Sequence, residues 1–153
     1  MFKKGLIVAI LSVLMAMGMG MNVLAELNVP PVEYDTSKEM TPEIAAIIES
    51  IEKANVKIYT EIYKVQGETN SLYKKYLEDL EATQDETQKA MLWKKYDEKI
   101  NEMIKSLDAK TQSITKKEVE KAKSAGVTVE VVWITVQFAD REANIDPMVG
   151  VGW

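Results

Sequence analysis

Between residues 44 and 65 the apolar side chains keep a single beat. Ile44, Ile48, Ile51, Asn55, Ile58, Ile62 and Val65 fall at alternating intervals of four and three. This is a seven-residue repeat with one polar interruption, as expected of a helix lying lengthwise on another helix. Thr41 is placed to cap its start, with Pro42 at the first helical position and Glu43 in the first turn. Val65-Gln66-Gly67 offers a C-cap and residues 68–70 a connection. The helix would be about 35 Å long, at ~1.5 Å per residue.

A second helical stretch begins near Ser71, where Tyr73, Tyr76, Leu77 and Leu80 share one face. Thr83-Gln84-Asp85-Glu86 has the form of a capping box, although nothing in residues 82–84 forbids a continuous helix. Beyond it, Trp93, Tyr96, Ile100, Met103, Leu107, Lys110 and Ile114 repeat the heptad beat. Two long amphipathic faces joined through a shorter piece predict an antiparallel, coiled-coil-like helical hairpin. Thr115-Lys116-Lys117-Glu118 is another capping box, opening a short helix that ends at Ala125-Gly126.

After Gly126 the period changes from helical to alternating. Residues 127–138 are rich in β-branched and aromatic types and predict a strand. Val132, Ile134, Val136 and Phe138 would share the face turned to the helices, which aims Trp133 outward. Residues 139–142 supply a turn and 142–145 a short return strand. Asp146-Pro147 then breaks the run before a possible third strand in residues 149–153. A lone hairpin is barely stable, so its apolar face belongs on the helices. The predicted fold is α+β and mainly α, a helical hairpin followed by a small C-terminal antiparallel sheet, all in one domain.

The N-terminus sets the compartment. Lys3 and Lys4 precede an apolar run over residues 6–17, and Val23-Leu24-Ala25 puts small residues where a signal peptidase reads. Residues 1–25 are therefore expected to be a secretory leader cleaved near Ala25. The alternative, an uncleaved anchor, is marginal in apolar length for a spanning helix. Residues 26–40, with Pro30 and Pro31, read as an extended, poorly ordered lead-in.

Composition then narrows the chemistry. The chain of 153 residues carries 19 basic and 24 acidic side chains, a net −5, and the leader removes only basic ones. Such a chain is repelled by nucleic acid and by anionic membrane surfaces. With no Cys and no His there is no disulfide, no lipid-anchoring thiol, no Ser-His-Asp or Cys-His catalysis and no ordinary zinc site. No cofactor is indicated.

The remaining motifs have ordinary explanations. Ser50/Lys53, Ser71/Lys74 and Ser113/Lys116 have Ser-x-x-Lys spacing, but the companion elements of penicillin-recognising enzymes are missing. They read as polar neighbours on solvated helix faces. Glu78, Asp79, Glu81, Asp85 and Glu86 could offer weak Ca²⁺ binding, though a solvated acidic face is the simpler account. Residues 118–127 resemble the first half of a helix-turn-helix, yet strand formers follow instead of a recognition helix. Tyr59, Tyr63, Tyr73, Tyr76 and Tyr96 flank the helical faces, where they would seal core edges or line a groove.

Four residues are candidates for recognition. Trp133, Arg141 (the only arginine) and Trp153 would form a partner-contact patch, since Trp and Arg are enriched at binding hot spots; the alternative is that Trp133 packs under the return strand or a loop. Asn55, alone in an apolar seam, would fix register or oligomeric state at some expense in stability, so an apolar replacement should stabilise. The function expected is an exported, non-enzymatic protein acting through protein contacts or self-association. A holdase-like envelope chaperone is the second expectation. A carboxylate-dependent hydrolase is the third, since two acids can suffice for glycoside cleavage.

Overall fold

Two helices of nearly equal length carry the fold, α1 (Pro42–Glu81) and α2 (Glu86–Ser124). The computed structural model describes Leu27 and residues 29–153, so the predicted leader lies outside the described residues. The helices pack against each other in an antiparallel hairpin, and short strands follow at the C-terminus. The molecule is mainly helical, of the α+β class.

The start of α1 is as expected. The Thr41 hydroxyl accepts from the Ile44 amide at 3.2 Å, and Pro42 occupies the first turn. The predicted break at Gly67 does not occur: α1 runs through it for 40 residues. Gly67 lacks a positive φ, and the seam residues on either side, Val65 and Thr69, are both buried. Their packing outweighs the roughly 1 kcal/mol that a glycine costs inside a helix. The chain instead reverses at residues 82–85, where a kink or a continuous helix was expected. Asp85, rather than Thr83, caps α2, accepting from the amides of Thr87 (2.8 Å) and Gln88 (3.2 Å).

α2 also runs straight through the capping box expected at Thr115. Its buried positions are Tyr96, Ile100, Leu107, Thr111, Thr115 and Ala122. Lys110 lies outside the seam and pairs with Glu61 at 2.6 Å, while Ile114 is only partly buried. A straight helix turns every 3.6 residues, so a strict seven-residue repeat drifts by ~20° per heptad. Over this length the contact face therefore slides by one position. α2 ends where expected, in a Schellman arrangement. The Val127 amide donates to Ala122 O at 2.9 Å and the Gly126 amide to Lys123 O at 3.1 Å, with Gly126 at φ 74°.

The strand predicted over residues 127–138 is two strands in two sheets. β1 (Glu33–Tyr34), β2 (Thr128–Val131) and β5 (Met148–Gly152) form one sheet in the order β1-β5-β2; β3 (Ile134–Phe138) pairs with β4 (Arg141–Ile145) in another. The β2–β5 and β3–β4 pairs are antiparallel, whereas β1 runs parallel to β5. The switch falls at Val132-Trp133, opposite Asp146-Pro147, where Pro147 O accepts from the Val132 amide at 3.3 Å. Alternating hydrophobicity is indifferent to a change of partner strand, so this break carried no local signal. The lead-in, expected to be loose, is tied down by β1 and by buried Val32.

The core lies between the helices and the inner sheet faces. Ile51, Ile58, Ile62 and Leu107 from the helices meet Phe138, Ile145 and Met148 from the strands. Each such side chain contributes roughly 1.5–3 kcal/mol on burial.

Candidate functional site

The sheets cover only part of the helical hairpin. Thr69 on α1 and Tyr96 on α2 are buried, but no residue in 70–95 is. This segment forms a two-helix arm of about 18 Å per helix, at ~1.5 Å per residue. Its seam holds Tyr73, Tyr76 and Leu80 only half-buried, and Leu77, Met91 and Trp93 stand exposed at 39%, 60% and 47%. Two helices alone cannot enclose a dry seam, which is why most helical hairpins add a third layer.

At the arm's base, rings stack into a ladder. Tyr76 and Tyr96 lie nearly parallel with centroids 4.7 Å apart, and Tyr73 and Trp93 tilt against Tyr96 at 5.5 and 5.9 Å. These offset and tilted geometries are the favourable ones for aromatic pairs. Sequence spacing placed the tyrosines on the helix edges; that they meet across the hairpin follows from the position of its turn.

The turn between β3 and β4 docks on this ladder through Arg141. The guanidinium donates to Asp140 Oδ1 (3.0 Å), Asp97 Oδ1 (2.8 Å) and Asn101 Oδ1 (2.7 Å), and lies 5.5 Å from the Tyr96 ring centre. The Tyr96 hydroxyl donates to Asp140 Oδ1 at 2.6 Å. Burial, reinforced by the Asp140 hydrogen bond, pushes the Tyr96 phenol up. Burial opposes ionisation of Asp140, but hydrogen bonds from Arg141 and Tyr96 outweigh it and hold that carboxyl below its usual range. Ala139 closes the turn at φ 50°, a left-handed conformation unusual for alanine. Arg141 is thus a clasp between the sheet and α2, with its donors engaged inside the molecule.

The three residues grouped as a contact patch are separated. Trp133 is 60% exposed beside exposed Val131, at the end of the β3–β4 ladder away from Arg141. The strand between them puts some 17 Å between the two, at ~3.4 Å per residue. Trp153 is partly buried on Tyr34 (centroids 6.2 Å apart), donates from Nε1 to Glu39 O at 3.2 Å, and accepts at its main-chain oxygen from Lys38 Nζ. It anchors the lead-in.

Asn55 is 2% exposed and spends its amide within the chain. Nδ2 donates to Met148 O at 2.6 Å, and Oδ1 accepts from the Met148 amide at 3.1 Å. It pairs with β5 as a neighbouring strand would, fixing the register of sheet on helix. Nearby, the buried Thr115 hydroxyl donates to Asp146 O at 2.9 Å. One carboxylate oxygen of Asp146 is buried without a partner, and burial, with Asp108 close by, pushes that carboxyl up.

Two other motifs resolve. Ser50 Oγ donates to Glu118 Oε2 at 2.7 Å and accepts from Lys121 Nζ at 2.7 Å, a cross-helix tie that sequence spacing missed. Ser71 donates to Gly67 O at 2.9 Å within its own helix. The arm's acids cap and pair locally, Glu86 with Lys89 and Glu78 with Lys74. Among the described residues no group of three or more His, Cys, Asp or Glu side chains could hold a metal ion, and no helix is long and apolar enough to cross a membrane. The chain matches no protein-family model, no curated protein and no solved structure.

Proposed function

We propose that this chain is an exported, non-enzymatic protein of the cell envelope or its surroundings, working through protein–protein contact with the arm as its contact surface. The observation that carries this reading is the arm itself, a stretch of chain with no buried residue that exposes Leu77, Met91 and Trp93. Several exposed apolar side chains on one projecting element point to an interaction site in a soluble protein. The leader supports the compartment, and the acidic charge argues for a protein partner over nucleic acid. Trp133, outside the arm, offers a second and smaller contact.

A holdase-like role is the second reading, favoured by the same exposed side chains. Because α1 and α2 close against each other, a client would lie on the outside of the arm. Site-specific photocrosslinking in intact cells separates the readings, with probes at Met91, Trp93, Trp133 and a body position such as Lys123. Discrete adducts from the arm probes support specific binding, and a smear of many client sizes supports the holdase. Equal labelling from Lys123 and from the arm would refute both.

A further inference from the structure

One face of the arm is built to fit itself. Asp79, Ala82 and Thr83 of α1 and Gln88, Met91, Leu92 and Lys95 of α2 line an open cleft of about 410 Å³. Counted from the turn, Asp79 lies two residues into its helix, Met91 five and Lys95 nine. The acid is therefore about 10 Å nearer the tip than the base, and the methionine sits midway between them. Residues 70–95 carry five acidic and five basic side chains, neutral within a chain of net −5. Four of the basic ones, Lys74, Lys75, Lys94 and Lys95, fall toward the body, while all five acids fall toward the tip.

A surface that is acidic at one end, basic at the other and apolar in the middle is complementary to its own copy turned through 180°. We propose that the arm pairs side by side with the arm of a second copy, antiparallel about a two-fold axis near Met91. Each Met91 enters the other copy's cleft, and each Asp79 meets the other copy's Lys95. Such an isologous contact closes at two copies and covers the cleft side of each arm in a four-helix arrangement. Methionine suits it, because its flexible thioether fills irregular grooves. The contact face, about 18 Å by ~20 Å, buries only about 700 Å² over the two copies, less than the ~1,000 Å² of a stable interface, so the dimer is weak, transient and dependent on concentration. This inference rests on the arm being the contact surface and adds what occupies it.

Sedimentation of the purified chain from micromolar to near-millimolar concentration tests the pairing, with circular dichroism checking that each variant folds. Asp79, Met91 and Lys95 are all exposed, so substitution there spares the core. Asp79→Lys alone and Lys95→Glu alone should each weaken self-association about tenfold or more through like-charge contacts. An equimolar mixture of the two should regain it, because each altered end then faces an opposite charge. Under oxidation Met91→Cys should form a disulfide dimer and Thr83→Cys, at the tip, should not. A natural chain that stays monomeric throughout overturns the proposal, as does a mixture no tighter than its components, or cross-linking through position 83 in place of 91. If the chain is monomeric while a probe at Met91 still captures another protein, self-pairing fails and arm binding stands. If neither occurs, both fail.

Discussion

Replacing Asn55 by isoleucine separates the two roles that a polar residue in an apolar seam can have. If Asn55 only disturbed a helix–helix seam, isoleucine would stabilise the protein. The structure gives the opposite sign. Asn55 satisfies both the amide and the carbonyl of Met148, which is 1% exposed. Isoleucine leaves two buried main-chain groups without partners, at about 1–3 kcal/mol each. Its extra apolar burial returns about 1–2 kcal/mol. The net expectation is a loss centred on about 2–3 kcal/mol, or a fall in Tm of roughly 4 °C per kcal/mol for a domain of this size. Urea denaturation followed by circular dichroism measures the loss. Hydrogen exchange locates it, because the Met148 amide should lose protection more than those of β3 and β4. A variant as stable as the natural chain, with the Met148 amide equally protected, would refute the reasoning.

Other substitutions probe the remaining ties. Gly67→Ala should stabilise by about 0.5–1 kcal/mol, because an added Cβ meets nothing within 4 Å; an unchanged or lower melting temperature would contradict a continuous, unstrained helix at that point. The raised carboxyl of Asp146 makes protonation favour the folded state, so its contribution is full at low pH and is lost as pH rises from the ordinary aspartate value to the higher folded one. Asp146→Asn should therefore match the natural chain near pH 3 and exceed its Tm increasingly toward about pH 7, and a difference that is flat or shrinks with pH would count against a buried charge there. Trp153→Ala removes the ring under Tyr34 and the bond to Glu39, so limited proteolysis should cut within residues 35–41 sooner while leaving α1 and α2 intact; cleavage at the natural rate would show that the lead-in is held elsewhere.

Most of the helical architecture was legible in the residues. Ile44 through Val65 named the packing face of α1, Thr41 and Pro42 its start, and Ala125-Gly126 the end of α2, because caps and periodicity are local physics written at single positions. Three things were decided by distant contacts. Gly67 and Thr115 looked like helix boundaries, yet the seam continues across both, and packing energy summed along a long interface exceeds a weak local preference. The β run split at Val132-Trp133 because β5 and β4 are different partners, which alternation cannot record. Trp133, Arg141 and Trp153 separated for the same reason. Arg141 found Asp97 and the Tyr96 ring on α2, Trp153 found the lead-in, and Trp133 found nothing comparable. Hydrogen-bond and ion partners far apart in sequence exist only once the chain has folded, so Asn55's amide showed polarity in the sequence and a purpose only in space.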